Sequence, residues 1–370
     1  MSIFREKCAI CYNNLMNIYS LEKMPTNLSC TDKLTLYNYD KLSYSKCSNC
    51  NTIQLDILIP LHILYQFSHN FTSVGKIWEN YFNLFIETLN TIVPFKTILE
   101  VGCPSGKLAI NCNDYNKWYI VEPNKNQNAL FNNKIVFIET FFDENFELKE
   151  KVDIIVHSHL FEHIYSPNEF LKKCNDTLKD DGEMIFGVPN MQHMIDNTLF
   201  LGLCFEHTIF LNKENITYLL NKNGFQIIKI VDYEAHSTIY HTKKILEINI
   251  PLFKIKDYFE QFYKVIDDYK VFVENCNKII NNNLNKDIFI FCASYNTQTL
   301  LFFGLNNNIT GILDNCKEKQ NKYLYGTNLK IYSPDILINN DAIVILKNGY
   351  YVNEIISQIK TLNNNVIIID

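Results

Sequence analysis

Between residues 96 and 250 the chain alternates short β-branched apolar runs with helix-length stretches. The runs fall at residues 97–101, 118–121, 135–138, 152–156, 183–188, 226–230 and 245–250. Runs this short, spaced by helices, predict a doubly wound and largely parallel sheet. Ligands of such sheets bind outside the carboxyl ends of the strands, so chemistry is expected just after each run. Further runs at 288–291, 309–313, 342–346 and 366–369 predict a second, smaller parallel α/β domain. Between the two, Ile255, Phe259, Phe262, Ile266, Tyr269, Val273, Cys276 and Ile280 recur every three or four positions, which predicts a long amphipathic connecting helix. The expected organisation is an N-terminal module over 1–70, a first α/β domain over 71–250, the connecting helix over 251–285 and the second domain over 286–370.

Composition narrows the function classes. The 370 residues are 47% hydrophobic and 20% charged, enough to bury sizeable cores. With 34 basic and 40 acidic side chains the net charge is −6, so there is no basic excess to displace counterions from a phosphate backbone, and no nucleic-acid partner is expected. No apolar run approaches the ~20 residues of a membrane helix, so no membrane partner is expected. The start, Met1-Ser2-Ile3-Phe4-Arg5, is too polar for a signal peptide. The expectation is a cytoplasmic chain, with a monomer favoured.

Twelve cysteines without an export signal point to metal ligation or burial before disulfides. Four stand in pairs, Cys8-Ala9-Ile10-Cys11 and Cys47-Ser48-Asn49-Cys50. Each C-x2-C can wrap two thiolates around one ion, and two such turns complete a zinc tetrahedron. Four thiolates leave no place for a water, so Cys8, Cys11, Cys47 and Cys50 are expected to hold a structural zinc. Strand-like residues 34–39 predict a hairpin between the pairs, and Cys30 stands in the spacer without a partner.

The first run of the middle domain leads into Glu100-Val101-Gly102-Cys103-Pro104-Ser105-Gly106. Gly102 and Gly106 let the backbone turn sharply and approach a bound nucleoside. Glu122 follows the second run, placed to accept hydrogen bonds from ribose hydroxyls. The spacing E-x-G-x-x-x-G differs from the G-x-G-x-x-G of nicotinamide enzymes. These segments, with Val156-His157-Ser158-His159-Leu160-Phe161-Glu162-His163 and the turn Leu178-Lys179-Asp180-Asp181-Gly182, resemble the motifs of class I S-adenosylmethionine-dependent methyltransferases. The resemblance implies a Rossmann-like core, S-adenosylmethionine as cofactor, and Glu100, Gly102, Gly106, Glu122, Ser158 and His159 around it. Pro104 departs from the pattern and removes one backbone donor. Glu162 and His163 read as structural residues opening the next helix.

Zinc knuckle, methyltransferase core and C-terminal α/β domain, in that order, resemble the nucleotide-sugar C-methyltransferases. Residues 312–327 and the segment from Phe71 to Trp78 carry further likeness. That family's Tyr-x-Glu-His motif is met by Cys204-Phe205-Glu206-His207. The resemblance implies His207 as the base that removes a proton beside a ketone, with Glu206 orienting the acceptor, a nucleotide-activated sugar. Cys204 replaces the tyrosine that would hold the enolate; Tyr65, Tyr240 and His241 are the candidates to compensate. Two alternatives stand beside this reading: a sugar O-methyltransferase of the same fold, which needs no enolate holder, and a non-catalytic binding module that has kept the fold.

Overall fold

The computed structural model describes residues 2–370 except 33, 35, 36, 66–74, 125–130, 198, 200, 201, 247–255, 307 and 348. Part of the Phe71–Trp78 likeness, Ile255 and the end of the 245–250 run lie outside the described residues.

The middle domain is built on seven strands: β1 (Thr97–Val101), β2 (Lys117–Val121), β3 (Ile135–Ile138), β4 (Val152–Ser158), β5 (Leu178–Pro189), β6 (Phe225–Tyr233) and β7 (Ser237–Lys244). They lie in the order β6-β7-β5-β4-β1-β2-β3. All are parallel except β7, which runs antiparallel to both of its neighbours. Most of the expected run at 245–250 lies outside the described residues, and its first two, Ile245 and Leu246, belong to no strand. Strand β7 is Ser237-Thr238-Ile239-Tyr240-His241-Thr242-Lys243-Lys244, where threonine, isoleucine and tyrosine carry β-propensity but the interleaved serine, histidine and lysine leave no apolar run to see. The order is that of a Rossmann-like methyltransferase fold.

Helices cover both faces. On one, α1 (Lys76–Asn90) presents Tyr81, Phe85 and Leu89, and with α2 (Lys107–Asn111) packs on Ile98, Trp118, Ile120 and Val156. On the other, α3 (Pro167–Thr177) begins with proline in its first turn and buries Phe170, Leu171 and Cys174 against Leu99, Val121 and Ile155. Glu162 and His163 form a short 3-10 turn ahead of α3 rather than opening it. A short α4 (Met191–Asp196) precedes α5 (Lys213–Lys222), which starts in a capping box between Asn212 and Asn215.

The connecting helix α6 (Phe259–Asn281) buries Phe262, Ile266, Tyr269, Val273, Cys276 and Ile280 in one stripe, as the periodicity predicts. The second domain has β8 (Asp287–Phe291), β9 (Gly311–Leu313), β10 (Ile331–Tyr332), β11 (Ala342–Ile345) and β12 (Ile367–Ile369), all parallel, in the order β10-β9-β8-β11-β12. Helix α7 (Tyr295–Phe302) follows β8, and α8 (Val352–Leu362) precedes β12. The two-residue β10 had no recognisable run.

At the N-terminus the strands Leu15–Pro25, Tyr39–Cys47 and Ile53–Leu55 form an antiparallel sheet. The hairpin uses 15–25 and 39–47; of the expected 34–39, Tyr39 opens the second strand, and 35 and 36 lie outside the described residues. Its far end reaches the second domain. Cys30–Thr31 pairs antiparallel with Tyr323–Leu324, and Gln298 Nε2 donates to the carbonyls of Asn27 (3.0 Å) and Tyr325 (2.8 Å).

Candidate active site

The four paired cysteines come together. Cys8 and Cys50 Sγ lie 3.6 Å apart, Cys11 and Cys47 Sγ 3.5 Å, and all four sulfurs are within 4.8 Å of one another. A zinc ion with ~2.3 Å bonds asks for sulfurs roughly 3.8 Å apart, so the donor set fits. The Asn49 and Cys50 amides point at Cys47 Sγ (3.4 and 3.5 Å), as suits a thiolate. Cys30 stays outside the cluster, on the strand beside Leu324.

This module holds the Glu206-His207 loop in place. The Leu55 amide donates to the Thr208 carbonyl (2.9 Å) and the Phe210 amide to that of Ile53 (3.0 Å). Arg5 reaches in beside them, donating to the carbonyls of Leu55 and Thr208 (3.1 Å each) and Tyr165 (2.8 Å). Burial pulls the Arg5 pKa down to about 10, which leaves it a cation.

At the carboxyl ends of β1 and β2 the glycine loop and Glu122 stand side by side. Gly102 (φ 79°) and Gly106 (φ 62°) both take the left-handed conformation that favours glycine. Glu122 is buried, accepts the Asn124 amide at 2.8 Å, and is pushed by burial to a pKa of about 7. Glu100 takes a different place. It is 1% exposed, and Oε2 accepts the Trp118 indole N–H at 2.8 Å, inside the domain behind the loop. Ser158 Oγ is engaged with the Tyr81 hydroxyl at 2.8 Å. His159, with φ 50°, packs its ring against Trp78 and Tyr81.

Beyond β4 lies a cluster of acids and imidazoles. Glu162 Oε1 is 3.6 Å from His159 Nδ1 and 3.8 Å from His163 Nε2. His163 Nδ1 faces the Tyr65 hydroxyl at 3.4 Å and Glu206 Oε2 at 3.9 Å. The His207 ring stands perpendicular to that of His163 at 5.1 Å and packs against Tyr295 at 5.6 Å. Burial lowers the pKa of both His163 and His207, while Glu162 works to raise it. Glu162, His163 and His207 also bring three donor atoms within 4.8 Å of one another, a set able to meet a cation. Glu206 and His207 are thus joined by Glu162 and His163, whose part sequence spacing hid because it lies some forty residues upstream. Of the three candidates to replace the missing tyrosine, only Tyr65 belongs to this cluster. Tyr240 lies buried in β7 stacked on Phe186, and His241 pairs with Glu183 (2.7 Å) near the opposite end of the sheet.

A cavity of about 310 Å³ opens between the two α/β domains. Trp78 and Glu206 wall one side; Ser294, Tyr295, Asp314 and Lys319, after β8 and β9, wall the other. Burial opposes the charge of Lys319, but Asp314 at 3.2 Å more than offsets it and raises the lysine pKa.

A family model described as a methyltransferase domain matches residues 77–230, from α1 into β6. A second, described as a C-methyltransferase C-terminal domain, matches residues 243–367. The chain is a methyltransferase. Among solved structures, the methyltransferase is similar to the N-methyltransferase NodS from Bradyrhizobium japonicum WM9 (14% identity, 46% of this chain and 98% of that one, TM-score 0.35). It is also similar to S-adenosylmethionine-dependent methyltransferases from Mesorhizobium loti (9%, 44% and 96%, 0.37) and Aquifex aeolicus (13%, 44% and 89%, 0.35). These likenesses are distant and partial, and the fold of the methyltransferase rests on its own strand order. No curated protein matches it.

Proposed function

We propose that the methyltransferase uses S-adenosylmethionine to methylate a carbon beside the ketone of a nucleotide-activated sugar, with His207 as general base. The observation that carries this reading is the cavity, which joins Glu206 on the catalytic domain to the loop ends of the second sheet. An acceptor with a reacting head and an anionic tail suits such a place: the head meets Glu206, and the tail meets the cationic Lys319. The matched C-methyltransferase C-terminal domain supports carbon as the acceptor atom.

The residues present fit the cofactor. Gly102 and Gly106 turn the chain tightly after β1, and Glu122 offers a buried carboxylate at the neighbouring strand end, where a ribose diol would donate. When bound, S-adenosylmethionine supplies the electrophilic methyl group. The chain's own part is to prepare the acceptor. His207, kept neutral by burial, has a lone pair for the α proton, and Glu162 favours the imidazolium that results. Tyr65, whose pKa burial holds well above the ordinary tyrosine value, keeps its proton and can donate it in a hydrogen bond to the developing enolate oxygen. That would answer the absence of a phenol at Cys204. The zinc at Cys8, Cys11, Cys47 and Cys50 is structural and steadies the loop that carries Glu206 and His207.

His207→Asn tests the reading. With a nucleotide keto-sugar, turnover should fall about 10²–10⁴-fold, the usual loss for a positioned base, with cofactor affinity unchanged. In deuterated water the wild type should exchange the α proton and the variant should not. Near-normal turnover in His207→Asn would overturn the mechanism, and methyl transfer without α exchange would favour a hydroxyl acceptor.

A further inference from the structure

A line of side chains runs from the second domain to Glu162, and none of its hydrogen bonds belongs to the proposed acid–base step. Tyr351, just ahead of α8, places its hydroxyl 2.9 Å from His236 Nε2. His236 Nδ1 is 2.6 Å from Ser237 Oγ, and Ser237 Oγ is 2.9 Å from His159 Nε2. His159 Nδ1 then faces Glu162 Oε1 at 3.6 Å, a charge–dipole contact rather than a full hydrogen bond. At the other end Tyr351 and Trp78 both line the cavity.

The carboxylate end sets the direction of the whole line, because a carboxylate only accepts. The His159 proton therefore sits on Nδ1, aimed at Glu162, and His159 Nε2 accepts from the Ser237 hydroxyl. With its own proton so placed, Ser237 accepts from His236 Nδ1, and His236 Nε2 accepts from the Tyr351 hydroxyl. Both imidazoles must be neutral for this, and burial does hold each of them down to a pKa of about 3. The Trp78 ring packs on the line, 4.8 Å from that of His159 and 4.5 Å from that of His236. Hydrogen bonds aligned in this way polarise one another. His159 holds its place with a left-handed backbone, φ 50°, a conformation uncommon outside glycine.

We infer that Tyr351, His236, Ser237 and His159 are positioning residues that fix Glu162 as the charge partner of the base, so that the base is completed only when the second domain is seated on the first. This rests on the proposed role of His207. Glu162 stands to the imidazolium as an acid stands to the histidine of a hydrolytic triad, steadying a charge it does not itself discharge. The link to Tyr351 makes that support depend on a residue 189 positions further along the chain.

Two measurements test the inference. Nitrogen-15 spectra of histidine-labelled protein report the tautomers directly and need no substrate. His159 and His236 should both carry the proton on Nδ1, and Ser237→Ala should release His159 from that state. Either ring protonated on Nε2 in the wild type would overturn the chain. The second measurement is a double-mutant cycle on turnover. Glu162→Gln should lower kcat about tenfold or more and Tyr351→Phe roughly three- to tenfold. Tyr351→Phe should then cost less than about twofold in the Glu162→Gln background, because residues in one network are not additive. Additive losses would show that Tyr351 acts elsewhere and overturn the inference. If the carbon-methylation reading alone fails, the tautomers persist while α-proton exchange is missing, so the two failures look different.

Discussion

Glu100 gives a test of how the middle domain is put together. Its carboxylate is 1% exposed, bonded to Trp118, and burial raises its pKa from 4.5 to about 7. The unfolded chain releases this proton near pH 4.5 and the folded chain near pH 7. Above pH 4.5 the unfolded state therefore binds fewer protons, and stability falls as pH rises until the folded carboxyl has also ionised. A gap of about 2.5 pH units corresponds to about 3 kcal/mol in all, of which about 2 kcal/mol is lost between about pH 5.5 and pH 8.5. Glu100→Gln keeps an acceptor for the Trp118 N–H and removes the titration. The assay is urea unfolding at the two pH values followed by tryptophan fluorescence. Both tryptophans of the chain, Trp78 and Trp118, lie in this domain, so the signal is local. Comparing variant with wild type cancels shared terms, such as the buried neutral His157, whose pKa burial lowers to about 3. The wild type should lose about 2 kcal/mol more than the variant between the two pH values. Parallel stability curves would refute the assignment of Glu100 to the interior and return it to the cofactor side of the loop.

Two further outcomes follow from the same structure. The purified protein should contain about one zinc per chain by metal analysis. Cys47→Ser should lower its Tm and slow turnover more than it weakens cofactor binding, because the strand Ile53–Leu55 holds the Thr208 loop; a folded preparation without zinc would count against this. Glu122→Ala should weaken binding of S-adenosylhomocysteine in calorimetry by ~1.5–3 kcal/mol, the worth of hydrogen bonds to a charged group. In the wild type that affinity should rise as pH passes through about 7, since the ionised carboxylate is the better acceptor for a diol; an affinity indifferent to both changes would show that the ribose lies elsewhere.

What could be read from the sequence was whatever repeats locally. The apolar runs gave β1 to β6, α6 and most of the second sheet, because a parallel strand buried on both faces, as most of these are, must be apolar along its length. The paired cysteines were legible because two ligands share each turn. The strand β7 was not, since a row of serine, threonine, histidine and lysine looks like a loop until the neighbours that bury it are known. The site shows the same division. Glu206 and His207 are adjacent and visible together, whereas Glu162 comes from more than forty residues upstream and Tyr351 from the second domain, so no local spacing joins them to the pair. Glu100 sits in the glycine motif, yet the side chain of a strand residue goes to one face or the other, and only the packing of Trp118 decides which.

The pairing of Cys30–Thr31 with Tyr323–Leu324 bears on how the chain is made. On the ribosome the first of these strands emerges about 290 residues before its partner, a wait of roughly 15–60 s at ordinary rates of synthesis. Through that interval the edge beside Cys30 has no mate, and the seat for Pro25 against Gly326 is unmade. The second domain, translated after the first, is therefore also the piece that releases the first from its unfinished state. Chains stalled or cut before residue 323 would carry an open strand edge at Cys30, a natural target for chaperones and proteases.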